Sequence, residues 1–128
     1  MKILGIGVDI VKNKRIQSLI RNRNFIKRTF GTKELKFSKE KNNKTNYFAK
    51  RFAAKEAFSK SFGTGIRGNL SFKDIEILND KMGKPFFYKS KKIDQIVKKK
   101  FKIKKYDLLL SLSDEKDHSI AFSILIKK

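Results

Sequence analysis

The predicted elements are typical of an α+β domain in which a largely antiparallel sheet packs around one long helix. Residues 3–11 form a β-branched run with two glycines, which predicts a buried strand. Residues 46–62 have helical periodicity and end before Gly63, which predicts a long helix with a left-handed C-terminal residue. Residues 108–112 and 120–126 are apolar runs joined by a polar turn, which predicts a C-terminal hairpin.

The segment between the first strand and the long helix is predicted to be helical. Residues 12–22 carry apolar side chains at helical spacing among basic ones. Residues 25–30 form a short aromatic segment without a predicted element. Thr32 is a candidate N-cap for a charged helix over residues 33–41.

A second pair of strands and a further helix follow the long helix. Residues 72–78 alternate as a strand, residues 79–84 form a turn, and Pro85 begins the partner strand. Ser90 is a candidate N-cap for an amphipathic helix. The apolar face of this helix consists of Ile93, Ile96, Val97 and Phe101. The predicted order is therefore β-α-α-α-β-β-α-β-β, and a chain of 128 residues fits one domain, residues 1–128.

The charge of the chain is strongly positive. Lys and Arg number 33 and Asp and Glu number 12, which gives a formal charge of +21. Such an excess indicates an anionic partner, namely nucleic acid, a phosphorylated cofactor, an acidic protein or a membrane surface. Enrichment of Lys, Asn, Ile and Phe by A·T-rich codons is the alternative explanation. We favour codon drift as the main cause of the charge, with partner binding as a contributor.

The composition also bears on compartment. The chain has no cysteine, which excludes disulfides and thiolate metal sites. No apolar run approaches the ~20 residues that a membrane-spanning helix needs. The N-terminus lacks the charged-then-apolar order of a signal peptide. We therefore expect a soluble, cytoplasmic protein without a membrane partner.

Glu56 stands out on the long helix because it continues an aromatic row. Phe48, Phe52, Glu56 and Lys60 follow one another at i, i+4 spacing, beside a second row of small side chains. That second row, which lets a sheet approach closely, consists of Ala49, Ala53 and Ala57. A partly buried carboxylate must be paired, protonated or bound to a cation. The alternative is an ordinary surface ion pair between Glu56 and Lys60.

Asp9 is a second carboxylate in an apolar setting. Its neighbours Ile6, Val8 and Ile10 indicate a buried strand that Asp9 closes. The alternative is that Asp9 caps a helix starting near Val11. Two carboxylates of this kind suit Mg²⁺, which keeps waters and takes its remaining ligands from phosphates.

Other candidate motifs carry less weight. Residues 63–68 are a glycine-rich loop at a helix C-terminus, whereas phosphate cradles sit at helix N-termini, so an ordinary cap and turn is favoured. His118 is the only histidine and has no serine arrangement typical of a hydrolase triad. The basic runs at residues 98–100 and 104–105 favour a nucleic-acid-binding module as the alternative class, but no recognition motif accompanies them.

Four segments together resemble one enzyme family. They read GIGVDIV from residue 5, FAKRFAAKEAFSKSFGTGI from residue 48, LSFKDIEI from residue 70 and NDKMGKP from residue 79. In this order they are similar to holo-acyl-carrier-protein synthases, the small bacterial 4′-phosphopantetheinyl transferases. The resemblance runs over residues 3–125 and is loose over residues 21–45 and 87–107. It implies the 4′-phosphopantetheinyl transferase fold and no specific nucleic-acid partner.

The resemblance implies a reaction and its central residues. The 4′-phosphopantetheine group of coenzyme A passes to a serine of apo acyl carrier protein, releasing adenosine 3′,5′-bisphosphate, in support of fatty acid biosynthesis. Asp9 and Glu56 match the family's Mg²⁺ ligands, and Lys60 matches a basic residue near the pyrophosphate. Mg²⁺ and Lys60 can stabilise charge on the phosphoryl oxygens and on the departing nucleotide. Our hypothesis for the base is a metal-bound water, with either Asp9 or Glu56 guiding its proton. A homotrimer with active sites between subunits is also implied.

The resemblance further implies contacts to the substrates. Arg51 and Lys84 are candidates for the nucleotide phosphates, and Pro85 is a candidate for packing against adenine. The loop glycines Gly63 and Gly65 are further candidates for coenzyme A binding.

The family's first helix docks the acidic carrier protein, which indicates Arg15 and Arg21 as binding residues. One position departs from the family, because Asp114 stands where many relatives carry a histidine. Asp114 either supports the water shell of the metal or begins the turn of the hairpin, and we favour the turn.

Overall fold

The computed structural model describes residues 1–63 and 70–128, and these have an α+β architecture with the predicted order of elements and one additional short helix before the long one. The elements are β1 (Lys2–Lys12), α1 (Asn13–Leu19), α2 (Arg23–Thr29), α3 (Thr32–Ser38), α4 (Lys44–Phe62), a 3-10 turn (Phe72–Asp74), β2 (Ile77–Asn79), β3 (Pro85–Phe87), α5 (Lys91–Phe101), β4 (Tyr106–Asp114) and β5 (His118–Lys127).

The strands form two antiparallel sheets, and both predicted hairpin pairings, β2 with β3 and β4 with β5, are present. The larger sheet has the order β1-β5-β4, and the smaller sheet pairs β2 with β3. In the larger sheet Asp9 lies opposite Ala121, and Ile6 lies opposite Ile124, which in turn lies opposite Leu109. Since residues opposite one another share a face, this register decides which side chains meet.

The long helix α4 lies on the inner face of the larger sheet and forms the centre of the core. Its caps confirm the predicted helix, because the Asn43 side chain accepts a hydrogen bond from the N–H of Asn46 and Gly63 has a left-handed φ of 98°. The alanine row faces the sheet as expected, with Ala53 and Ala57 fully buried. Almost every side of α4 is covered by protein.

The region before α4 differs from the sequence analysis in two ways. Residues 25–29, for which no element was predicted, lie in the helix α2, and Phe30 is its C-cap. The side chain of Asn22 caps this helix by accepting from the N–H of Asn24 and Phe25. The N-cap of α3 is Gly31 rather than Thr32. The side chain of Glu76, which is distant in sequence, caps the first turn of α3 in place of Thr32.

The first turn of α3 is capped from another part of the chain. The Glu76 carboxylate accepts from the N–H of Lys33 at 2.9 Å and of Glu34 at 3.2 Å. Glu34 in turn accepts from the N–H of Gly31 at 3.1 Å. A negative charge at this end also complements the helix dipole.

The predicted strand over residues 72–78 is wrong in its first half. Asp74 accepts from both the N–H and the hydroxyl of Ser71, at 2.9 Å each, and this local bonding folds residues 72–74 into the 3-10 turn. Only Ile77–Asn79 pair as β2.

The outer face of the larger sheet is apolar and exposed. On β1, Ile6 and Ile10 are each 59% exposed and Val8 is 53% exposed. Strand β5 continues this face with Ile120 and Phe122, each 39% exposed. We call this surface, completed by Leu109 of β4, the outer sheet face.

None of the helices in the described part of the chain is both long enough and apolar enough to cross a bilayer.

Candidate active site

The contact between β1 and α4 is made directly by main-chain atoms. A Cβ at Gly5 would lie 1.8 Å from the carbonyl oxygen of Ser61, and one at Gly7 would lie 1.9 Å from that of Ala57. Glycine is therefore required at both positions. Because side chains alternate along a strand, Asp9 points to the same side as these glycines and reaches α4.

Asp9 contacts α4 through Lys60. The Lys60 ammonium lies 3.3 Å from Asp9 Oδ1 and donates to the carbonyl of Val8 at 2.8 Å. The Lys60 side chain is 55% exposed, whereas that of Asp9 is 16% exposed. The ammonium of Lys60 is thus held against β1, and the side chain remains accessible to an anion from solvent.

Glu56 lies beside this pair and is half-buried. Burial is the first cause that raises the pKa of Glu56, and the negative charge of Asp9 is the second. The charges of Lys60 and Arg15 oppose the shift. Asp9, Glu56 and Lys60 therefore form one group of interacting charges, bordered by Arg15, and we call these three residues the carboxylate cluster.

The simpler roles for the two carboxylates do not describe this geometry. Strand β1 continues for three residues beyond Asp9, and the N-cap of α1 is Lys12, so Asp9 neither closes the strand nor caps a helix. Lys60 forms its ion pair with Asp9 rather than with Glu56.

The carboxylate cluster is suited to a magnesium ion that also binds a phosphate. Among residues 1–63 and 70–128, no group of three or more His, Cys, Asp or Glu side chains is placed to hold a metal. Asp9 and Glu56 supply two carboxylates. Mg²⁺ is bound in many sites by one or two carboxylates, with waters and substrate phosphates as the other ligands. The raised pKa of Glu56 is what a nearby cation would correct.

A separate cleft of about 420 Å³ surrounds Arg51. Arg51 is buried, its guanidinium lies 3.7 Å from the centre of the Tyr47 ring, and it donates to the side chain of Asn79. Its Nε has no hydrogen-bond partner among the described residues. Burial lowers the pKa of Arg51. Pro85 lines the same cavity, which we call the Arg51 cleft.

The remaining predicted nucleotide-binding residues are less closely grouped. Lys84 is exposed in the turn after β2, where its N–H donates to Asp80 Oδ1 at 2.8 Å, and its side chain does not line the Arg51 cleft. Gly63 ends α4 next to Lys100, whose ammonium donates to the carbonyl of Phe62 at 2.6 Å. Gly65 lies outside the described residues.

The two arginines proposed for partner binding lie on different parts of the chain before α2. Arg15 is exposed on α1, with its guanidinium 5.6 Å from the centre of the Phe52 ring. Arg21 is exposed in the link between α1 and α2. Arg15 therefore borders the site, whereas Arg21 lies beyond the end of α1.

Asp114 is the last residue of β4, so the turn follows it as expected. Its carboxylate accepts a hydrogen bond from the side chain of Asn46 and lies 4.0 Å from the ammonium of Lys50. All three residues line the Arg51 cleft. His118 begins β5 and contacts Glu115 at 3.2 Å, away from this group.

Sequence reasoning missed several residues that shape the site. Asn46 and Lys50 both line the Arg51 cleft from α4. Their i, i+4 spacing places them on the same face of the helix, and this was the sequence signal that could have identified them. Asn79 reaches it from β2, and no local pattern indicates that long-range contact. A buried ion pair between Lys55 and Glu34, at 2.6 Å, was also missed.

The motifs and the fold agree with comparisons to known proteins. The family model of the 4′-phosphopantetheinyl transferase superfamily matches residues 5–123. A holo-[acyl-carrier-protein] synthase of Pelagibacter ubique is 58% identical over 128 residues, with 100% of both chains covered.

Solved structures give the same result. The crystal structure of holo-[acyl-carrier-protein] synthase from Neisseria meningitidis has a TM-score of 0.88 and 42% identity, covering 98% of this chain and 99% of that chain. A holo-(acyl-carrier-protein) synthase from Bacillus anthracis in complex with CoA (3′,5′-ADP) has a TM-score of 0.82 and 34% identity, covering 100% of both chains. The resemblance and the fold predicted from the motifs are confirmed, and the chain belongs to the holo-acyl-carrier-protein synthase family of the 4′-phosphopantetheinyl transferase superfamily.

Proposed function

We propose that the chain transfers 4′-phosphopantetheine from coenzyme A to a serine of an apo acyl carrier protein, with the carboxylate cluster as the centre of the reaction. The observation that carries this assignment is the meeting of Asp9, Glu56 and Lys60 at the β1–α4 contact. Two carboxylates and an accessible lysine there suit a phosphoryl group with its metal. The family and the coenzyme A complex of a relative support the substrates.

Asp9 and Glu56 would hold Mg²⁺. When bound, the ion neutralises charge on the pyrophosphate oxygens of coenzyme A. The half-buried setting of Glu56 supports this role, since a carboxylate that burial and Asp9 disfavour as an anion gains most from a cation. Fixing both ligands on rigid elements keeps the site aligned without reorganisation.

Lys60 orients and stabilises the group that is transferred. In the reaction the serine Oγ forms a bond to the β-phosphorus, and the bond from that phosphorus to the oxygen of the α-phosphate breaks. Adenosine 3′,5′-bisphosphate leaves with the electron pair of that bond. Lys60 keeps its contact to the Val8 carbonyl at 2.8 Å while its other donors bind phosphoryl oxygens.

Asp9 or Glu56 would accept the serine proton, since these are the two carboxylates of the cluster. A bound cation would offset the raised pKa that burial and the charge of Asp9 give Glu56. The proton would be held at one of these carboxylates and returned to solvent through the exposed side of the site.

The Arg51 cleft would bind the nucleotide end of coenzyme A. Arg51 offers a buried guanidinium, Lys50 adds a charge, and Pro85 provides an apolar wall. Lys84, Gly63 and Gly65 remain proposed contacts for the same substrate. The lining of this cleft includes neither Asp9 nor Glu56.

A homotrimer would explain both the separate cleft and the outer sheet face. A contiguous exposed apolar surface of this kind marks an interaction site in a soluble protein. Burying Ile6, Val8 and Ile10 against other copies would bring clefts and carboxylate clusters of neighbouring subunits together. The proposed compartment is the cytoplasm, because the reaction consumes the intracellular cofactor coenzyme A.

The acidic carrier protein would dock on α1. Arg15 is exposed and borders the carboxylate cluster, so a bound carrier would present its serine to the reacting phosphorus. Arg21 would extend the same basic surface. Complementary charge would speed the encounter more than it would strengthen the complex.

Intact mass spectrometry of an apo acyl carrier protein tests the proposed function. The carrier is incubated with the chain and coenzyme A, once with Mg²⁺ and once with a chelator. We expect a gain of one phosphopantetheine group only with Mg²⁺. A gain that survives the chelator would refute the metal assignment, and no gain with a folded chain and a competent carrier would refute the transferase itself.

A further inference from the structure

The Arg51 cleft has a carboxylate on its wall, although its other charges are positive. Lys41, Lys50 and Arg51 supply the positive charges. Among the lining residues in the described part of the chain, Asp114 is the one acidic side chain. A carboxylate repels an anion, so Asp114 opposes the phosphates that the three basic residues attract.

The Asp114 side chain is held in place from two sides. It ends β4, where it pairs with Ser119 of β5, and the N–H of Glu115 closes the following turn by donating to the carbonyl of His118 at 2.9 Å. Its Oδ2 accepts a hydrogen bond from the side chain of Asn46 on α4. The carboxylate therefore cannot withdraw from an incoming ligand without losing contacts to both elements.

The charge of Asp114 is incompletely neutralised by its neighbours. Its Oδ1 lies 4.0 Å from the Lys50 ammonium, beyond hydrogen-bond distance, and the two side chains are 28% and 31% exposed. Arg51 bonds instead to neutral acceptors, the side chain of Asn79 and the carbonyl of Tyr47 at 3.4 Å. The negative charge of Asp114 therefore acts on a ligand that enters the cleft.

The reaction increases the negative charge on the phosphate that stays with the nucleotide. In coenzyme A the α-phosphate is part of the pyrophosphate and has a single ionisable oxygen. When the bond to the β-phosphorus breaks, the α-phosphate keeps the bridging oxygen with its electron pair and becomes a monoester. A phosphate monoester carries about −1.5 to −2 charges at neutral pH. The product therefore presents more negative charge than the same part of the substrate.

We propose that Asp114 weakens binding of adenosine 3′,5′-bisphosphate to the Arg51 cleft more than it weakens binding of coenzyme A, and so favours release of the product. This role rests on the nucleotide binding proposed above for the cleft. The basic residues attract both ligands, whereas the fixed carboxylate opposes the charge that the reaction creates. Asp114 acts on release rather than on bond breaking, because Asp9 and Glu56 do not line the cleft.

Isothermal titration calorimetry of the full chain, with a chelator in place of divalent metal, measures binding without transfer. The wild type and Asp114→Asn are each titrated with adenosine 3′,5′-bisphosphate and with coenzyme A. The new amide keeps an acceptor for Asn46 and removes the charge. We expect Asp114→Asn to bind the bisphosphate about tenfold more tightly and coenzyme A about threefold more tightly. Both gains should shrink at high salt.

Asp117→Asn is the matched control, because Asp117 is exposed in the same turn and does not line the cleft. Its affinities should equal those of the wild type. The proposal is overturned if both variants gain affinity equally, or if Asp114→Asn gains equally for the two ligands. Weaker binding in Asp114→Asn would also overturn it, since Asp114 would then organise the cleft for phosphates.

Lys50→Gln separates this proposal from the nucleotide role of the cleft. Lys50 is partly exposed, so the variant should fold, and it should lose affinity for the bisphosphate. If Lys50→Gln loses affinity while Asp114→Asn equals the wild type, the cleft binds the nucleotide and only the role of Asp114 is refuted. If the bisphosphate does not bind, or binds Lys50→Gln and the wild type equally, the nucleotide role fails and the Asp114 proposal fails with it.

Discussion

Helix α4 contributes a lysine to two ion pairs, Lys55 with Glu34 and Lys60 with Asp9. The two pairs differ in burial and in how many of their hydrogen bonds are formed. The side chains of Lys55 and Glu34 are both 0% exposed and lie 2.6 Å apart. Glu34 also accepts from the N–H of Ile77 at 3.0 Å, and Lys55 donates to the carbonyl of Phe72 at 3.0 Å. Burial raises the pKa of Glu34 and lowers that of Lys55, while each partner opposes the shift of the other.

The pair in the carboxylate cluster is looser and more exposed. Lys60 and Asp9 are 3.3 Å apart, and more than half of the Lys60 side chain reaches solvent. Beside them, Glu56 carries a raised pKa. A fully bonded pair has no capacity left for a ligand, whereas the cluster retains unused donors and a disfavoured anion. The comparison separates a pair that stabilises the fold from one that is available for chemistry.

The largest effect on stability is expected from Lys55→Met. Removing this partner leaves the Glu34 carboxylate buried without its counter-charge, which should lower the free energy of unfolding by about 3–5 kcal/mol. Lys60→Met should lower it by less than about 1 kcal/mol, because that pair is largely exposed. Urea denaturation measures both.

A double variant separates the buried charge from simple loss of packing. Glu34→Gln together with Lys55→Met keeps an acceptor for the neighbouring N–H groups and removes both charges. It should recover part of the stability lost in Lys55→Met. Equal losses in Lys55→Met and Lys60→Met would show that the two pairs do not differ as described.

The next largest effect concerns activity. Asp9→Ala or Glu56→Ala should slow phosphopantetheine transfer by about 10²–10³-fold, since each removes a group that stabilises charge in the transition state. Stability should change by less than about 1 kcal/mol. The transfer rate is measured as the increase in carrier-protein mass over time. Glu40→Ala, at an exposed position, serves as the control. Near-normal rates in either variant would remove that residue from the site.

A smaller effect follows from the raised pKa of Glu56. Ionising this side chain is harder in the folded than in the unfolded state, so its charge opposes folding at neutral pH. Glu56→Gln should therefore be more stable than the wild type near neutral pH. The difference should shrink as the pH falls through the raised pKa and vanish below the ordinary carboxyl value of about 4.3.

Urea denaturation at a series of pH values in the absence of divalent metal checks this sign. A Glu56→Gln variant that is less stable than the wild type at neutral pH would mean that the carboxylate is satisfied in the apo protein. It would then resemble the buried pair rather than the cluster.

The smallest effect is expected at the edge of the cluster. Arg15→Glu should weaken carrier-protein binding about fivefold, mostly through slower association, because exposed interfacial charges mainly steer the encounter. The KM for coenzyme A should change little. Lys39→Glu, an exposed position outside α1, is the control. Equal weakening of both substrates would show that α1 is not the docking face.

The elements that the sequence predicted well are those whose signals are local. Gly63 ends α4 in a left-handed conformation, and Ser90 caps α5 by accepting from the N–H of Ile93 at 3.2 Å. The failures have non-local or competing causes. Glu76 caps α3 from a distance, and the Ser71–Asp74 bonding competes with strand formation.

The residues of the candidate site were predicted from local signals, whereas their contacts depend on segments that are distant in sequence. Asp9 and Glu56 were identifiable because each interrupts an apolar pattern. Lys60 was identifiable from its helical spacing, but its pairing with Asp9 required the packing of β1 on α4. The buried contact of Lys55 with Glu34 was invisible, since α4 is covered on nearly all sides and its polar residues follow no exposed stripe.

The alternation of side chains along β1 has an evolutionary consequence. Gly5, Gly7 and Asp9 face α4, whereas Ile6 and Val8 face outward. If copies of the chain assemble through the outer sheet face, as proposed above, substitutions on that face can change the assembly without altering the spacing between Asp9 and α4 on the other. The two faces of this eleven-residue strand could then diverge independently among related chains.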